Sequence, residues 1–183
     1  GQPEAALEQF DRALEQNDAY IEAHLNRAIT LNELGRFDEA KEAFEHAAEH
    51  ERKLGGQFSA SESARIANAH GAVAYLYMAA GGPAEAAREL RRALELRPNF
   101  HDLRNRLGEA LMQMGELEAS RDELRHVLDA NGRFLSARLN LGLVLLRAGD
   151  PEGAREQWEE ARAQAPNNPQ VRAYLRLLET EAV

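Results

Sequence analysis

Two histidines four residues apart form the pattern in this sequence with the most obvious chemical potential. His46 and His50, with Glu49 between them, match H-x-x-E-H. Two imidazoles at this spacing share one face of a helix, where they can bind zinc, and the neighbouring carboxylate can act as a base. However, Ala47 falls at a predicted core position, and the sequence indicates neither a third ligand nor an enclosed cleft. We therefore predict no metal site and no catalytic residue here.

Other residues of catalytic type also favour structural interpretations. His24 and His70 fall at equivalent positions of predicted helices, where we expect burial against a neighbouring helix. Acidic residues such as Glu85, Glu89 and Glu95 are interpreted as solvated helix faces. The sequence has no G-x-S-x-G motif, no Gly-rich phosphate loop with Lys and no cysteine. We predict a protein that is not an enzyme and that needs no cofactor.

Composition restricts the class of partner. The 183 residues are 44% hydrophobic and carry a formal charge of −9, which argues against a nucleic-acid partner because phosphate binding depends on clustered Lys and Arg. The longest apolar stretches, such as 139–146, are far shorter than the roughly 20 residues that span a bilayer. We therefore predict no membrane insertion and a cytoplasmic location. A periplasmic location stays open, because the chain begins with Gly1 and a leader could have been removed.

An internal period organises the chain. Five times, a small residue is followed by a large apolar residue four positions later and by a small or β-branched residue seven positions later. These triplets are Ala6, Phe10 and Ala13; Ala40, Phe44 and Ala47; Ala86, Leu90 and Ala93; Ser120, Leu124 and Val127; and Ala154, Trp158 and Ala161. Three of the four intervals are 34 residues, and the remaining one is 12 residues longer.

Glycine and proline mark the ends of the helices within each period. A glycine precedes each triplet by five residues, and glycine suits the left-handed conformation that often follows a helix C-terminus. These glycines are Gly1, Gly35, Gly81, Gly115 and Gly149. After Gly149, Asp150 is a predicted N-cap and Pro151 a predicted first helical residue. Each period is therefore predicted to be a helix, a turn and a second helix.

These features resemble the tetratricopeptide repeat family. Leu107-Gly108-x-x-Leu111 and Leu141-Gly142-x-x-Leu145 are similar to its Leu-Gly-x-x-Tyr element, and Pro98 and Pro166 match its closing proline. The chain departs from the family at its tryptophan position, which here holds His24, His70, Arg104 and Arg138. The resemblance implies an all-α fold, a right-handed superhelical α-solenoid of antiparallel helix hairpins.

The period predicts one continuous domain with the following division. Residues 1–20 form the second helix of a truncated repeat; 21–54, 67–100, 101–134 and 135–168 are repeats; 55–66 is an insertion; and 169–183 is a capping helix. We expect Val171, Tyr174, Leu175 and Leu178 to cover the last repeat. Because residues 1–16 lack a preceding partner helix, we expect the native protein to continue upstream, or this edge to pair with another copy.

The 12-residue insertion is predicted to lengthen the helices on either side of it. Gly55 and Gly56 favour a helix end near Leu54, and Ser59 followed by Glu62 has the form of a capping box that would start the next helix at about Ala60. Two interpretations of the insertion stay open: a tolerated longer hairpin, or a contact surface that includes Phe58.

The resemblance also implies a peptide-binding groove lined by the first helix of each repeat. The groove positions are Asn26, Ile29, Asn32, Asn68, Tyr75, Met78, Asn105, Arg106, Glu109, Met112, Asn140, Leu143 and Arg147. Family members that clamp acidic chaperone tails carry cations at positions that here hold Glu22, Leu25, Gly71, Ala72 and Asp102. We therefore expect an extended or helical, amphipathic peptide with apolar anchors.

Three functions stay open from the sequence. The first is a scaffold that binds a protein or peptide partner in the groove. The second is the substrate-recognition or regulatory arm of a larger enzyme whose catalytic domain lies outside this chain. The third is self-assembly into a homo-oligomer through the N-terminal edge.

Overall fold

Ala, Leu, Glu and Arg dominate the sequence, and these residues lose little side-chain freedom in a helix. The computed structural model describes residues 2–55 and 58–180, and within them every regular element is an α-helix. The helices are α1 (Gln2–Gln16), α2 (Ile21–Glu33), α3 (Phe37–Leu54), α4 (Ala60–Ala79), α5 (Pro83–Leu96), α6 (His101–Gln113), α7 (Leu117–Ala130), α8 (Leu135–Arg147), α9 (Pro151–Gln164) and α10 (Pro169–Thr180). The predicted all-α fold class, an α-solenoid of helix hairpins, is confirmed.

The chain forms two compact units. The N-terminal unit is Gly1–Asn99 and the C-terminal unit is Phe100–Val183. In the N-terminal unit, α2 packs against α1, α3 and α4, and α4 packs against α5. In the C-terminal unit, α6 packs against α7 and α8, α8 packs against α7 and α9, and α10 packs against α9. Within each unit, the first helices of two successive hairpins are therefore neighbours.

The first helices end in a recurring glycine turn. Gly149 has a φ of 83°, and its N–H donates to Leu146 O, while Asp150 N donates to Leu145 O at 2.9 Å. This hydrogen-bond pair satisfies carbonyls that the helix leaves unpaired, and the left-handed φ favours glycine. Gly35, Gly81 and Gly115 have φ values of 75° to 80° at the same place in their hairpins. Gly1 and Gly56 lie outside the described residues.

The two helices of a hairpin lie close together where the first one carries a small residue. In the C-terminal unit this residue is Gly142, and a Cβ added there would lie 2.1 Å from Trp158 Nε1. At the equivalent Gly108, a Cβ would lie 2.8 Å from Leu124 Cγ. Trp158 is fully buried, and its Nε1–H donates to Leu139 O at 3.1 Å. Glycine is thus required at 142 by a rigid neighbour.

The last helix covers the hydrophobic surface of the hairpin before it. Val171, Leu175 and Leu178 are buried in a cluster with Trp158. Tyr174 packs against the same cluster, with its ring centroid 5.1 Å from that of Trp158. These four positions of α10 share one helix face, as their spacing predicts.

The helices before and after residues 55–59 are long. α3 has 18 residues and is followed by Gly55, which has a φ of 57°, and α4 has 20 residues and begins at Ala60. Ser59 and Glu62 form the capping box expected from the sequence: Ser59 Oγ accepts from Glu62 N, and Glu62 Oε2 accepts from Ser59 N. Phe58 packs against a cluster that includes Ile21 and Ile66, so it anchors this segment to the core. The division of the chain into repeats stays a prediction.

Candidate functional site

The N-terminal unit presents its predicted groove residues on two neighbouring helices. Asn26, Ile29 and Asn32 on α2 are half-buried, whereas Asn68 and Tyr75 on α4 are exposed and Met78 is half-buried. The Tyr75 side chain stands out, because 63% of this large residue is exposed. An exposed aromatic residue on a first helix offers area for contact with a partner.

In the C-terminal unit, three predicted groove residues form a hydrogen-bonded network between α6 and α8. Asn140 Nδ2 donates to Glu109 Oε1 at 2.7 Å and to Asn105 Oδ1 at 3.1 Å. Asn105 Nδ2 also donates to Glu109 Oε1, at 2.9 Å. Both hydrogens of the Asn140 amide are thereby used, which fixes the orientation of this amide and leaves Oδ1 as its acceptor.

The remaining groove residues of this unit divide into exposed cations and partly or fully buried apolar residues. Arg106 and Arg147 are exposed, and Arg147 Nη1 donates to Met112 O, in the last turn of α6, at 3.2 Å. Leu143 is half-buried and packs against two core clusters of its unit. The Met112 side chain is buried among core residues such as Leu124, and its apolar area therefore contributes to the core.

A second set of polar residues occupies the position where the family carries tryptophan. In three of the four hairpins, this basic residue contacts an acceptor located 19 residues later, on the second helix. The pairs are His70 with Glu89, Arg104 with Glu123, and Arg138 with Gln157. Arg138 also contacts Glu160 and donates to Gly132 O. Packing at this position therefore depends on charge and hydrogen bonding instead of an indole.

His70 is buried between two carboxylates. Only 1% of its side chain is exposed; Nδ1 lies 2.7 Å from Glu89 Oε2, and Nε2 lies 3.5 Å from Glu51 Oε1. Burial acts to lower the pKa of His70, but Glu51 and Glu89 outweigh it and raise the pKa to about 9. The imidazolium is therefore the native form at neutral pH. The expectation that Glu89 lies on a solvated face was wrong, because its side chain is only 13% exposed and contacts His70.

His24 occupies the same position but has the opposite electrostatic environment. Its Nε2 lies 2.8 Å from Asp18 O, and its ring stacks on those of His46 and His50, with centroids 5.5 Å apart in each case. Burial lowers the pKa of His24, and the neighbouring His46 and His50 lower it further, although Asp18 opposes both effects. The residue 19 positions later is Ala43, which offers no carboxylate.

Sequence reasoning predicted that His24 and His70 are buried, and the structure confirms it. It did not anticipate that His46 and His50 meet His24, or that Asp18 approaches the same group. A 19-residue spacing between a basic and an acidic residue was an available signal for the contacts of His70 and Arg104. It does not extend to His24, because the residue 19 positions later is Ala43.

Within residues 2–55 and 58–180, no helix combines the length and the apolar character that crossing a bilayer requires.

The architecture defines a helical-repeat protein whose first helices carry exposed aromatic, amide and charged side chains. Sequence models described as "Tetratricopeptide repeat" match residues 1–57, 72–132 and 105–169. The chain belongs to the tetratricopeptide repeat (TPR) family, as its motifs indicated. Proteins of this family and fold are typically non-catalytic interaction modules.

A curated relative of this chain is an uncharacterised protein of Methanocaldococcus jannaschii. The two sequences are 48% identical over 44 residues, which is 24% of this chain and 51% of the relative. The chain thus aligns with about half the length of the curated relative it matches.

Several solved TPR structures resemble this one in fold. YrrB, described as a TPR protein with an unusual peptide-binding site, has a TM-score of 0.73 and 20% identity, covering 100% of this chain and 84% of YrrB. MamA has a TM-score of 0.69 and 18% identity, with coverages of 90% and 83%. The first TPR of Spaghetti (RPAP3), bound to the HSP90 peptide SRMEEVD, has a TM-score of 0.61 and 16% identity, with coverages of 65% and 94%. At these identities the likeness shows the fold alone.

Proposed function

We propose that this chain is a protein-interaction scaffold that binds a peptide segment on the first-helix faces of its units. The observation that carries the proposal is the Asn105–Glu109–Asn140 network, which holds an amide oxygen and a carboxylate in fixed positions on neighbouring first helices. TPR proteins of similar fold bind peptides, which supports a partner of this class.

The fixed groups favour the N–H groups of a peptide backbone. Asn140 Oδ1 and the Glu109 carboxylate are acceptors, so they complement N–H donors or a basic side chain. An acidic segment would meet the Glu109 charge at this point, and like charges placed together oppose binding. We therefore propose an amphipathic peptide with apolar anchors and without an acidic tail at this network.

The N-terminal unit supplies an apolar contact of its own. Tyr75 is a large, exposed side chain on α4, and Met78 lies one helical turn further along the same helix. Met adapts its shape to different apolar partners. We propose that Tyr75 and Met78 hold an apolar side chain of a bound peptide, so that the two units offer different kinds of contact.

The test begins with 12-residue peptides selected on the wild-type chain from a random phage-display library. Fluorescence polarisation then measures the dissociation constants of the selected peptides. Asn140→Ala and Tyr75→Ala should each weaken binding about 10-fold, as the loss of a contact worth about 1.4 kcal/mol would. Far-UV circular dichroism and thermal unfolding check that each variant is folded.

Two matched variants control for the residue types that are removed. Phe37 on α3 is an aromatic residue that is 65% exposed, close to the 63% of Tyr75, but it lies on a second helix. Asn167 is an exposed asparagine in the turn between α9 and α10. Phe37→Ala and Asn167→Ala should leave affinity within about twofold. Equal losses in control and groove variants would refute the proposed faces.

Self-assembly through α1 and a role as the arm of a larger enzyme stay predictions. Light scattering across a dilution series tests the first of these, since a particle of constant monomer mass at all concentrations contradicts it.

A further inference from the structure

Asp18, His24 and His50 converge in the N-terminal unit, where the turn between α1 and α2 meets α3. One ligand-type atom from each of the three side chains can be chosen so that all three atoms lie within 4.8 Å of one another. Within this group, His50 Nε2 lies 3.5 Å from Asp18 Oδ2. The residues come from α2, α3 and the turn 17–20, so folding brings them together.

These distances suit a tetrahedral transition-metal ion. Zinc binds imidazole nitrogen and carboxylate oxygen at about 2.0–2.2 Å, which places neighbouring ligand atoms of a tetrahedron about 3.3–3.5 Å apart. The His50–Asp18 distance already has this value. The other ligand-atom distances are at most 4.8 Å, so closing the site requires movements of roughly 1 Å. The Asp18 side chain is 83% exposed and lies on a turn, so it can adjust its position to the ion.

The two imidazoles are held in place by their surroundings. His24 is 5% exposed, the His50 side chain is 12% exposed, and their rings are nearly parallel with an interplanar angle of 14°. His24 Nε2 lies 2.8 Å from the Asp18 carbonyl oxygen. Coordination through Nδ1 would keep this hydrogen bond as a contact that orients the ring, an arrangement common for metal-bound histidine.

The surroundings also favour a cation. An open cleft next to the cluster is lined by Glu15 and Glu42 as well as by Asp18 and His24. Arg27 lines the same cleft, but its guanidinium pairs with Asp11, with Nε 2.7 Å from Oδ1. Carboxylates facing the cleft lower the electrostatic cost of bringing in a divalent ion.

We propose that Asp18, His24 and His50 bind one divalent transition-metal ion of the zinc class. Two imidazoles and one carboxylate fill three positions of a tetrahedron, and water from the cleft fills the fourth. The ion links the α1–α2 turn to the C-terminal half of α3, so it cross-links segments that are distant in the chain. This site is independent of the proposed peptide contacts, which involve Tyr75, Met78 and the Asn140 network.

The test is isothermal titration calorimetry of the whole chain, without a polyhistidine tag, with ZnCl₂ at pH 7.5. We expect one Zn²⁺ per chain, and no heat with MgCl₂, because Mg²⁺ prefers oxygen ligands. Asp18→Asn and His50→Gln should each weaken Zn²⁺ binding by at least about 10-fold, the effect that even a residue outside the ligand set commonly has. Asp18→Asn alters an exposed side chain, so it provides a variant that folds.

Matched controls come from α7 in the C-terminal unit. Asp129→Asn and His126→Gln change exposed residues of the same two types and should leave Zn²⁺ affinity unchanged. If His46→Gln abolishes binding while Asp18→Asn has no effect, the ion is held by the His46–His50 pair alone and the proposed ligand set is wrong. The proposal is also overturned if the wild type fails to bind Zn²⁺ more tightly than about 100 μM, a binding free energy of about −5.5 kcal/mol.

A stability measurement separates a structural site from surface binding. Saturating Zn²⁺ should raise the midpoint of thermal unfolding of the wild type, because an ion that binds only the native state stabilises it. The same addition should leave the midpoint of Asp18→Asn nearly unchanged. A rise of equal size in both proteins contradicts the proposal.

Discussion

The N-terminal and C-terminal units use different residues at the two positions that fix how a hairpin closes. The small position holds Ala28 and Ala74 in the N-terminal unit but Gly108 and Gly142 in the C-terminal unit. The basic position holds His24 and His70 in the first and Arg104 and Arg138 in the second. These differences show that one hairpin geometry is compatible with different solutions. At Gly142 the indole of Trp158 occupies the space that a Cβ would need. At the basic position, a histidine makes the charge of a hairpin depend on its neighbours.

The largest effect is expected when the small position of the C-terminal unit receives the alanine that the N-terminal unit has there. Gly142→Ala should destabilise the protein by about 3 kcal/mol, because a Cβ would lie 2.1 Å from Trp158 Nε1. A displacement of the indole would also weaken its hydrogen bond to Leu139 O. The better helix propensity of alanine offsets only about 1 kcal/mol of this loss. Urea unfolding followed by fluorescence measures the effect, and Trp158, the single tryptophan, reports on its own unit.

Gly108→Ala is the matched control for that variant. The nearest atom to an added Cβ is Leu124 Cγ, on a side chain that can change rotamer. In the N-terminal unit the same two positions hold Ala74 and Leu90, so this pair of residue types is compatible with the fold. We expect a loss of about 1 kcal/mol or less. Equal losses for Gly108→Ala and Gly142→Ala would contradict the role assigned to Trp158.

The next largest effect concerns the buried ion pair that distinguishes the second hairpin of the N-terminal unit. Glu89→Gln should destabilise the protein by about 2 kcal/mol at pH 7, because the buried His70 loses its 2.7 Å charge-assisted hydrogen bond. Urea unfolding followed by circular dichroism measures it. Glu159→Gln removes a carboxylate from an exposed ion pair with Arg162 and should change stability by less than about 0.5 kcal/mol. Similar losses for the two variants would show that burial of the pair is unimportant.

The pH dependence of stability tests the raised pKa of His70 directly. The pKa of His70 is raised from 6.5 to about 9, so the native state binds more protons than the unfolded state between these values. The stability from His70 is fully present below pH 6.5 and is lost as pH rises towards 9. From pH 6 to pH 8 the loss should be about 2 kcal/mol. Comparing urea unfolding of wild type and His70→Gln over this range isolates it. A constant difference between the two proteins would contradict the raised pKa.

The sequence predicted the backbone of this molecule better than its polar contacts. Helix ends at Gly35, Gly81, Gly115 and Gly149 follow from local rules, since a left-handed residue is needed wherever such a helix stops. Burial of His24 and His70 follows from their place in the period. Most of the fold can therefore be predicted from the repeat periodicity.

The polar partners were not predicted, because they come from other helices. Glu89 is a charged residue of a type that usually lies on a solvated helix face. Its contact with His70 arises because α5 packs on α4. Asn105, Glu109 and Asn140 were placed in one groove by resemblance, but their mutual hydrogen bonds depend on side-chain rotamers. The approach of Asp18 to His50 depends on a turn, for which the sequence pattern gives no geometry.

The smallest expected effect concerns the N-terminal end of α4, a helix of the N-terminal unit. Ser59 caps α4 through a capping box, and Asp150 caps α9 with a single side-chain bond to Gly153 N at 2.8 Å. Ser59→Ala and Asp150→Ala should each cost about 1 kcal/mol in urea unfolding, because each leaves a helix N–H without its acceptor. Ser61→Ala, in the first turn of α4 but outside the cap, should have almost no effect.

The outcome at Ser59 also bears on the insertion before it. If Ser59→Ala loses stability and Ser61→Ala does not, the capping box determines where the long α4 begins. If Ser59→Ala is as neutral as Ser61→Ala, the first turn of α4 contributes little, and anchoring by Phe58 against Ile21 and Ile66 must determine where the helix begins. Phe58→Ala then becomes the more damaging substitution, and its loss should exceed that of Ser59→Ala by about 1 kcal/mol or more.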